Sequence, residues 1–235
     1  MGKLRVDTKA CFNDWVSLII KMDKWNIQPP LIMRWLFPGT IWRMARNENS
    51  VYLTFDDGPV PEVTPKVVEI LNQYKAKATF FCVGDNIRKH PDVYQTVLDN
   101  GMGVGNHTYS HLKAWSHPAG VYFEDIEKGR TWNPTLLFRP PHGQLYPWYV
   151  PRLKRTFKRI VMWDVLSLDY RADLSDRDVY NTVVNNVRPG SVIVFHDSLK
   201  AWPRLERALP DILEYLNLAG YKMKLIEGGK AAINS

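Results

Sequence analysis

From residue 51 onward, short apolar runs alternate with stretches of helical periodicity. The runs predict strands at Val51–Phe55, Ala78–Val83, Met102–Gly105, Leu136–Phe138, Arg159–Trp163, Ser191–Phe195 and Lys222–Ile226. Helix-period stretches fall between them, clearest at Thr64–Tyr74, Pro91–Asn100, Asp176–Asn186 and Leu205–Ala219. Ser175 is placed to cap one helix, and Gly101 and Gly220 stand where left-handed C-caps belong. The strands are rich in β-branched residues and apolar on both faces, the pattern of a parallel sheet covered on both sides. Seven such alternations predict an α/β fold, an irregular (β/α)7-type barrel. Its active site belongs at the carboxyl ends of the strands.

Residues 1–50 do not follow this rhythm, and they read as an N-terminal extension ahead of a domain spanning 51–235. Phe12, Trp15, Val16, Ile19 and Met22 share one helical face opposite Asn13, Ser17 and Lys21. Trp15, Trp25, Trp35 and Trp42 are four of the nine tryptophans. The extension is expected to pack on the domain, with a peripheral membrane or self-association contact as the alternative for its Trp-rich part. The run Trp15–Ile20 is too short for a secretory core and has no cleavage site after it, and no stretch is long enough to span a membrane. Location is therefore open, and Met22 and Met33 are alternative starts.

Composition alters little. At 45% hydrophobic, the 235 residues suffice for a sizeable core, which excludes disorder. Two cysteines, Cys11 and Cys82, cannot build a disulfide framework, and Cys82 reads as a buried thiol inside an apolar run. The net charge of +7 raises a nucleic-acid reading, but residues 1–50 supply +4 of it, with eight Lys/Arg against four Asp/Glu. No basic stripe remains in the rest, so nucleic acid is not expected as a partner.

Candidate chemistry gathers just after the strands. Asp56-Asp57 follow the first strand, Asn106-His107 and His111 the third, and Arg139 with His142 the fourth. Asp164 to Asp169 follow the fifth, and His196-Asp197 the sixth. Asp57, His107 and His111 make a carboxylate and two imidazoles, the three-ligand set of an open catalytic zinc site. The fourth position is left for water, whose pKa a divalent cation draws down towards ~7. Asp56 can then serve as the base.

In order and spacing, five segments resemble the motifs of the polysaccharide deacetylases, the NodB-homology group or carbohydrate esterase family four. They are Thr54-Phe-Asp-Asp-Gly58, His107-Thr-Tyr-Ser-His111, Arg139-Pro-Pro-His-Gly143, Asp169-Tyr170 and Val194-Phe-His196. The resemblance runs from about Val51 to Ile226. It implies a divalent ion, usually zinc with cobalt, nickel or manganese as substitutes, on Asp57, His107 and His111. Asp56 would be the base, with Arg139 orienting it and holding its charge. His196 would be the general acid and Asp169 its partner, with an oxyanion site between the metal and a backbone N–H near His142. Tyr170 and Val194 would line the acetyl pocket. The family commonly has Tyr at 142, Trp at 170, Leu at 194 and an additional Asp at 166, where this chain has His, Tyr, Val and Leu. The function implied is removal of N-acetyl groups from amino sugars of a chitin-like or peptidoglycan-like glycan. The alternatives are an O-acetyl esterase on xylan-type glycans and a carbohydrate-binding relative with weak turnover. Trp115, Trp148 and Trp202 are expected in loops near the same face, where they could stack sugar rings or pack in the core. His90 and His117, each followed by proline, are assigned no chemistry.

Overall fold

The computed structural model describes residues 27–46 and 48–229, so Cys11 and the amphipathic stretch Phe12–Met22 lie outside the described residues. Its strands are β1 (Thr40–Ile41), β2 (Ser50–Asp56), β3 (Ala78–Cys82), β4 (Gly103–Asn106), β5 (Leu137–Phe138), β6 (Arg159–Val161), β7 (Val165–Leu166), β8 (Val192–His196) and β9 (Lys222–Met223). They run in the order β1-β6-β5-β4-β3-β2-β8-β7, with β9 added to β2, and their pairings are parallel. β6 and β7 are halves of one bent run, Arg159 to Leu166. The first half pairs with β5 and the second with β8, so the sheet curls round to meet itself. This is the irregular (β/α)7-type barrel that the alternation predicts.

Period-2 alternation sorts side chains between the helices outside and the barrel inside. Val51, Leu53 and Phe55 of β2, Phe80 of β3 and Phe195 of β8 join Val67, Leu71, Leu209 and Leu213 of the covering helices in the main core. Phe55 stacks between Phe80 and Phe195, at centroid distances of 5.1 and 5.4 Å. The alternate residues face inward, where Phe81, Leu137, Val161 and Val192 form a small interior cluster with Tyr52 packed against it. The last inward residue of β2 is Asp56 and of β8 is His196, directly paired in register. Alternation within the barrel thus carries both to its carboxyl end. Cys82, on the outer face of β3, is a buried free thiol.

The helices at Thr64–Gln73, Pro91–Asp99, Asp176–Val184 and Trp202–Leu218 fall where periodicity places them. Ser175 caps its helix through the Asp178 amide in a reciprocal capping box, and Gly101 and Gly220 adopt positive φ. Among the helices that the pattern does not mark are Gly84–Lys89 and Ala119–Trp132. The second buries only Tyr122, Phe123, Ile126 and Gly129, an apolar stripe too thin to read among its charges. Trp202 opens the helix Trp202–Leu218 and packs against the main core, rather than standing in a loop.

Residues before β2 engage the barrel. β1 pairs with β6, Phe37 and Trp42 are buried in a second cluster, and Arg34 reaches Asp164 at 2.7 Å. Asp164 is almost wholly buried, and Arg188 and Ser191 also donate to it, which turns it away from the barrel mouth. The short helix Leu31–Leu36 leaves Leu31, Ile32, Trp35 and Leu36 exposed. No helix among the described residues is long and apolar enough to cross a membrane.

Candidate active site

A pocket of about 320 Å³ opens at the carboxyl end of the barrel. Asp56, Asp57, His107, His111, Arg139, His142, Tyr170, Val194 and His196 line it, together with Pro140, Gly143, Trp163 and Leu166. Of the residues to which the family resemblance gave a role, only Asp169 is absent from the wall. It lies fully buried behind His196.

The two adjacent aspartates are aimed apart by the backbone. Asp56 ends β2 with an inward side chain, whereas Asp57 adopts φ 81°, a left-handed conformation costly for a residue with a Cβ. The loop is braced from β8. Asp197, buried and next to His196, accepts the Gly58 amide at 3.1 Å and the Thr64 hydroxyl at 2.5 Å. A Cβ on Gly58 would lie 1.9 Å from that carboxylate, so only glycine fits. Burial pushes the Asp197 carboxyl up to about 8, against the pull of the Thr64 hydroxyl and the Gly58 amide. Sequence reading noted Asp197 without giving it a role. Its signal was a second polar residue following a strand, as Asp57 follows Asp56.

Asp57 Oδ1 lies 3.0 Å from His111 Nε2 and 3.8 Å from His107 Nε2. One ligand atom from each residue falls within 4.8 Å of the others. The Nδ1 of His107 is 2.8 Å from the Arg139 carbonyl, which leaves Nε2 as the atom facing the cluster, an outer-shell brace typical of metal-ligating histidines. Burial pushes His107 down to about 4, against the nearby carboxylates, so its imidazole is neutral at pH 7 as a ligand must be. Burial works to raise Asp57, but His111, His196 and His107 together hold its carboxyl well below the usual range. Donor types, spacing and charge state all suit a divalent ion with an open coordination position.

Arg139 lies in the barrel interior with its guanidinium 4.1 Å from the Phe81 ring centroid. It donates to Asp56 at 2.7 Å, to Thr54 at 2.8 Å and to the carbonyls of Val161 and Met162. Both partners of the Asp56–Arg139 pair are buried. Removing either would strand the other's charge, a cost of about 3–5 kcal/mol. Opposite, the Nδ1 of His196 lies 2.7 Å from Asp169 Oδ1, and the His196 amide donates to Oδ2 at 2.8 Å. Burial opposes charge on His196, but the Asp169 carboxylate outweighs it, with Asp57 and Asp56 adding to the pull, and the pKa rises to about 9.

The walls come from three sources. Tyr170 packs edge-on to His196, and Val194 and Leu166 face inward from paired strands. His142 has φ 56° and its ring is 4.6 Å from that of His111. Burial, then His111 and Lys113, lower its pKa. Gly143, with φ 65°, allows Trp163 to close in, since a Cβ there would lie 2.4 Å from the indole. Trp42 packs behind Trp163 at 5.8 Å. Neither tryptophan was singled out as part of the site, because nothing local to either sequence points to the other.

A parallel barrel with an Asp-His-His cluster, an arginine-held carboxylate and a carboxylate-held imidazole at one mouth defines a hydrolase-type site. Residues 43–156 match the polysaccharide deacetylase family. A peptidoglycan-N-acetylglucosamine deacetylase of Bacillus cereus is 34% identical over 77% of this chain and 88% of its own length. A chitooligosaccharide deacetylase of Azorhizobium caulinodans is 31% identical over 74% of this chain and 84% of its own. The crystal structure of the Bc1960 peptidoglycan N-acetylglucosamine deacetylase superposes with a TM-score of 0.77, at 30% identity, over 81% of this chain and 92% of that one. The chain belongs to the polysaccharide deacetylase family. Shared fold alone does not guarantee turnover: BA3943 of Bacillus anthracis, described as a CE4 family pseudoenzyme, superposes with a TM-score of 0.68 at 24% identity, covering 79% of this chain and 66% of that one.

Proposed function

We propose that this protein removes N-acetyl groups from amino sugars within a glycan, with a divalent ion held by Asp57, His107 and His111. The mixed nitrogen and oxygen donor set suits zinc, with cobalt, nickel or manganese as substitutes. Such an ion would polarise the acetyl carbonyl and activate the attacking water. The catalytic chemistry belongs to residues 51–235, and every group named below lies there.

Asp56, fixed by Arg139, takes the proton of the attacking water. His142 contributes its backbone N–H to the developing oxyanion. His196 gives its Nε2 proton to the departing nitrogen, and Asp169 holds the ring by Nδ1 so that Nε2 faces the pocket. Tyr170 and Val194 enclose the acetyl methyl, in a site whose wall is apolar there.

One observation carries the choice of amide over ester, the Asp169–His196 pair. An amine leaves only when protonated, and this imidazole is built to hold a proton at neutral pH. Acetate release should be measured from N-acetylated chitooligosaccharides, peptidoglycan and acetylated xylan, with and without chelator. The reading expects release from N-acetyl substrates that chelation abolishes and zinc restores. Release from xylan alone, or release indifferent to chelator, would overturn it.

A further inference from the structure

The barrel has a second open end. A cavity of about 830 Å³ lies where the strands begin, and it shares no lining residue with the pocket at the carboxyl end. Lys77 immediately precedes β3, Arg159 opens β6, and Tyr52 is the third residue of β2. The segment before β2 closes one side, where Arg43 bridges Ser191 and the Met44 amide donates to the Gly190 carbonyl at 2.8 Å. The run after β9 closes another. There the Lys224 amide donates to the Val51 carbonyl at 2.9 Å, and the Arg159 side chain donates to the Glu227 carbonyl at 3.1 Å. Met44 and Tyr52, both in the cavity wall, pack on the interior cluster of Phe81, Leu137, Val161 and Val192. Arg139, which lines the active-site pocket, sits over the Phe81 ring. Packed side chains therefore separate the two ends.

The cavity wall carries four cations, Arg43, Lys77, Arg159 and Lys224, against two carboxylates, Glu48 and Glu227. Both carboxylates are engaged, Glu227 by Arg159 at 2.6 Å and Glu48 by Lys224. They also stand outermost: Glu227 is 77% exposed against 21% for Arg159, and Glu48 56% against 41% for Lys224. Two positive charges are left over. Lys77 gives one hydrogen bond, to the Asn100 carbonyl at 2.7 Å, and keeps two N–H groups. The half-buried Arg43 side chain has no hydrogen-bond or ion-pair partner among the described residues, so its fork of five donors lacks an acceptor. Arg43 neighbours Ser191, Ser191 neighbours Tyr52, and Lys77 stands beside Tyr52 through the pairing of Leu53 with Ala78. Three strand spacings are roughly 14 Å along the sheet, a span that side chains of this length can close from both ends.

We propose that this cavity binds a small soluble organic phosphate, its dianionic group held by Arg43 and Lys77 and its apolar body on Met44, Met223 and Leu225. Doubly charged, planar-fork recognition suits a phosphate. The volume falls in the range of about 300–1,000 Å³ that small-molecule sites occupy. The outermost carboxylates would repel an anionic bilayer, which makes the ligand a dissolved molecule rather than a lipid headgroup. This inference stands apart from the glycan reading above.

The test is calorimetric titration, with zinc present, of hexyl phosphate and of inorganic phosphate into wild type, Arg43→Gln, Arg43→Lys, Lys77→Gln and His107→Ala. One hexyl phosphate per chain should bind, and more tightly than inorganic phosphate. Arg43→Gln and Lys77→Gln should each weaken it about tenfold, the size of one lost charge-assisted hydrogen bond, with Arg43→Lys losing less. His107→Ala, whose metal site is broken, should bind it as wild type does. Thermal unfolding without ligand checks that each variant is folded. Unchanged affinity in Arg43→Gln and Lys77→Gln would overturn the site, and a loss in His107→Ala instead would put the phosphate on the active-site metal. Absence of saturable binding to wild type would also overturn it. So would inorganic phosphate binding as tightly as hexyl phosphate, since the apolar wall would then contribute nothing. Arg43-dependent co-sedimentation with phosphatidic-acid vesicles would replace the soluble ligand by a lipid surface and overturn the proposal as stated.

Discussion

His107 and His196 both line the pocket, the first buried and the second mostly so, and the protein drives them in opposite directions. His107 is pushed down to about 4 and His196 up to about 9. Burial disfavours charge on both, so the partner on Nδ1 decides. For His107 that partner is the neutral carbonyl of Arg139, whereas for His196 it is the carboxylate of Asp169. A carbonyl fixes a ring's orientation and leaves it neutral, fit to bind a cation. A carboxylate fixes it equally well and stabilises its proton, fit to give one away. The pocket therefore has a ligand side and an acid side made from the same residue type.

The strongest way to break this comparison is to remove the ligand side. His107→Ala leaves two ligands where three are the minimum, so metal content should fall from about one ion per chain to near none and acetate release to background. Elemental analysis beside the activity assay checks both. Full metal content in this variant would place the ion elsewhere.

The next largest effect separates the adjacent aspartates. Asp56→Asn should keep the metal and slow turnover by about 10²–10⁴-fold, the usual size of a base's contribution. Asp57→Asn should weaken metal affinity itself, because Asp57 points to His111 and Asp56 to Arg139. Metal titration of the pair decides, and like behaviour in both would refute the division. Folding must be confirmed for Asp56→Asn, since Arg139 loses the charge that balances its own.

How far this site could be read before the structure follows from the reach of its contacts. β2, β3 and β8 carry long apolar runs, so their ends, and the polar residues just beyond them, were legible within a residue or so. β1 and β7, two residues each like β5 and β9, lie outside the apolar runs that marked those two. Asp57, His107 and His111 declare themselves by residue type. The Asp197 brace does not, because the amide it accepts lies 139 positions away and backbone amides leave no mark in a sequence. Trp42 and Trp163 likewise read as ordinary core aromatics until the sheet curls and brings them together.

On the acid side, His196→Ala should cost an N-acetyl sugar about 10²–10⁴-fold and an activated aryl ester far less, since the ester's leaving group departs without a proton. Parallel assays of both substrates suffice. Equal losses would mean that His196 supports the site rather than donating to it.

The smallest expected effect is also the sharpest test of the comparison, because Asp169→Asn changes only the partner. The hydrogen bond to Nδ1 can persist through the amide oxygen, while the charge is lost and the side-chain NH2 replaces the oxygen that accepts from the His196 amide. The raised pKa of His196 should then fall from about 9 towards the ordinary 6.5. A raised pKa means that the pair's contribution to stability is complete below about 6.5 and disappears as pH rises through about 9. The variant should therefore lose stability relative to wild type most at acid and neutral pH, with the gap closing above about 9. In turnover, the alkaline limb should move to lower pH. At pH 7 the protonated fraction, and with it the rate on an N-acetyl sugar, should fall to about a quarter of wild type, whereas at pH 5.5 the two should agree within about twofold. The measurement is a pH–rate profile of both proteins on one amide substrate, with metal saturating. An alkaline limb that stays in place would assign that ionisation to another group, and the partner on Nδ1 would no longer explain why one buried imidazole binds and the other donates.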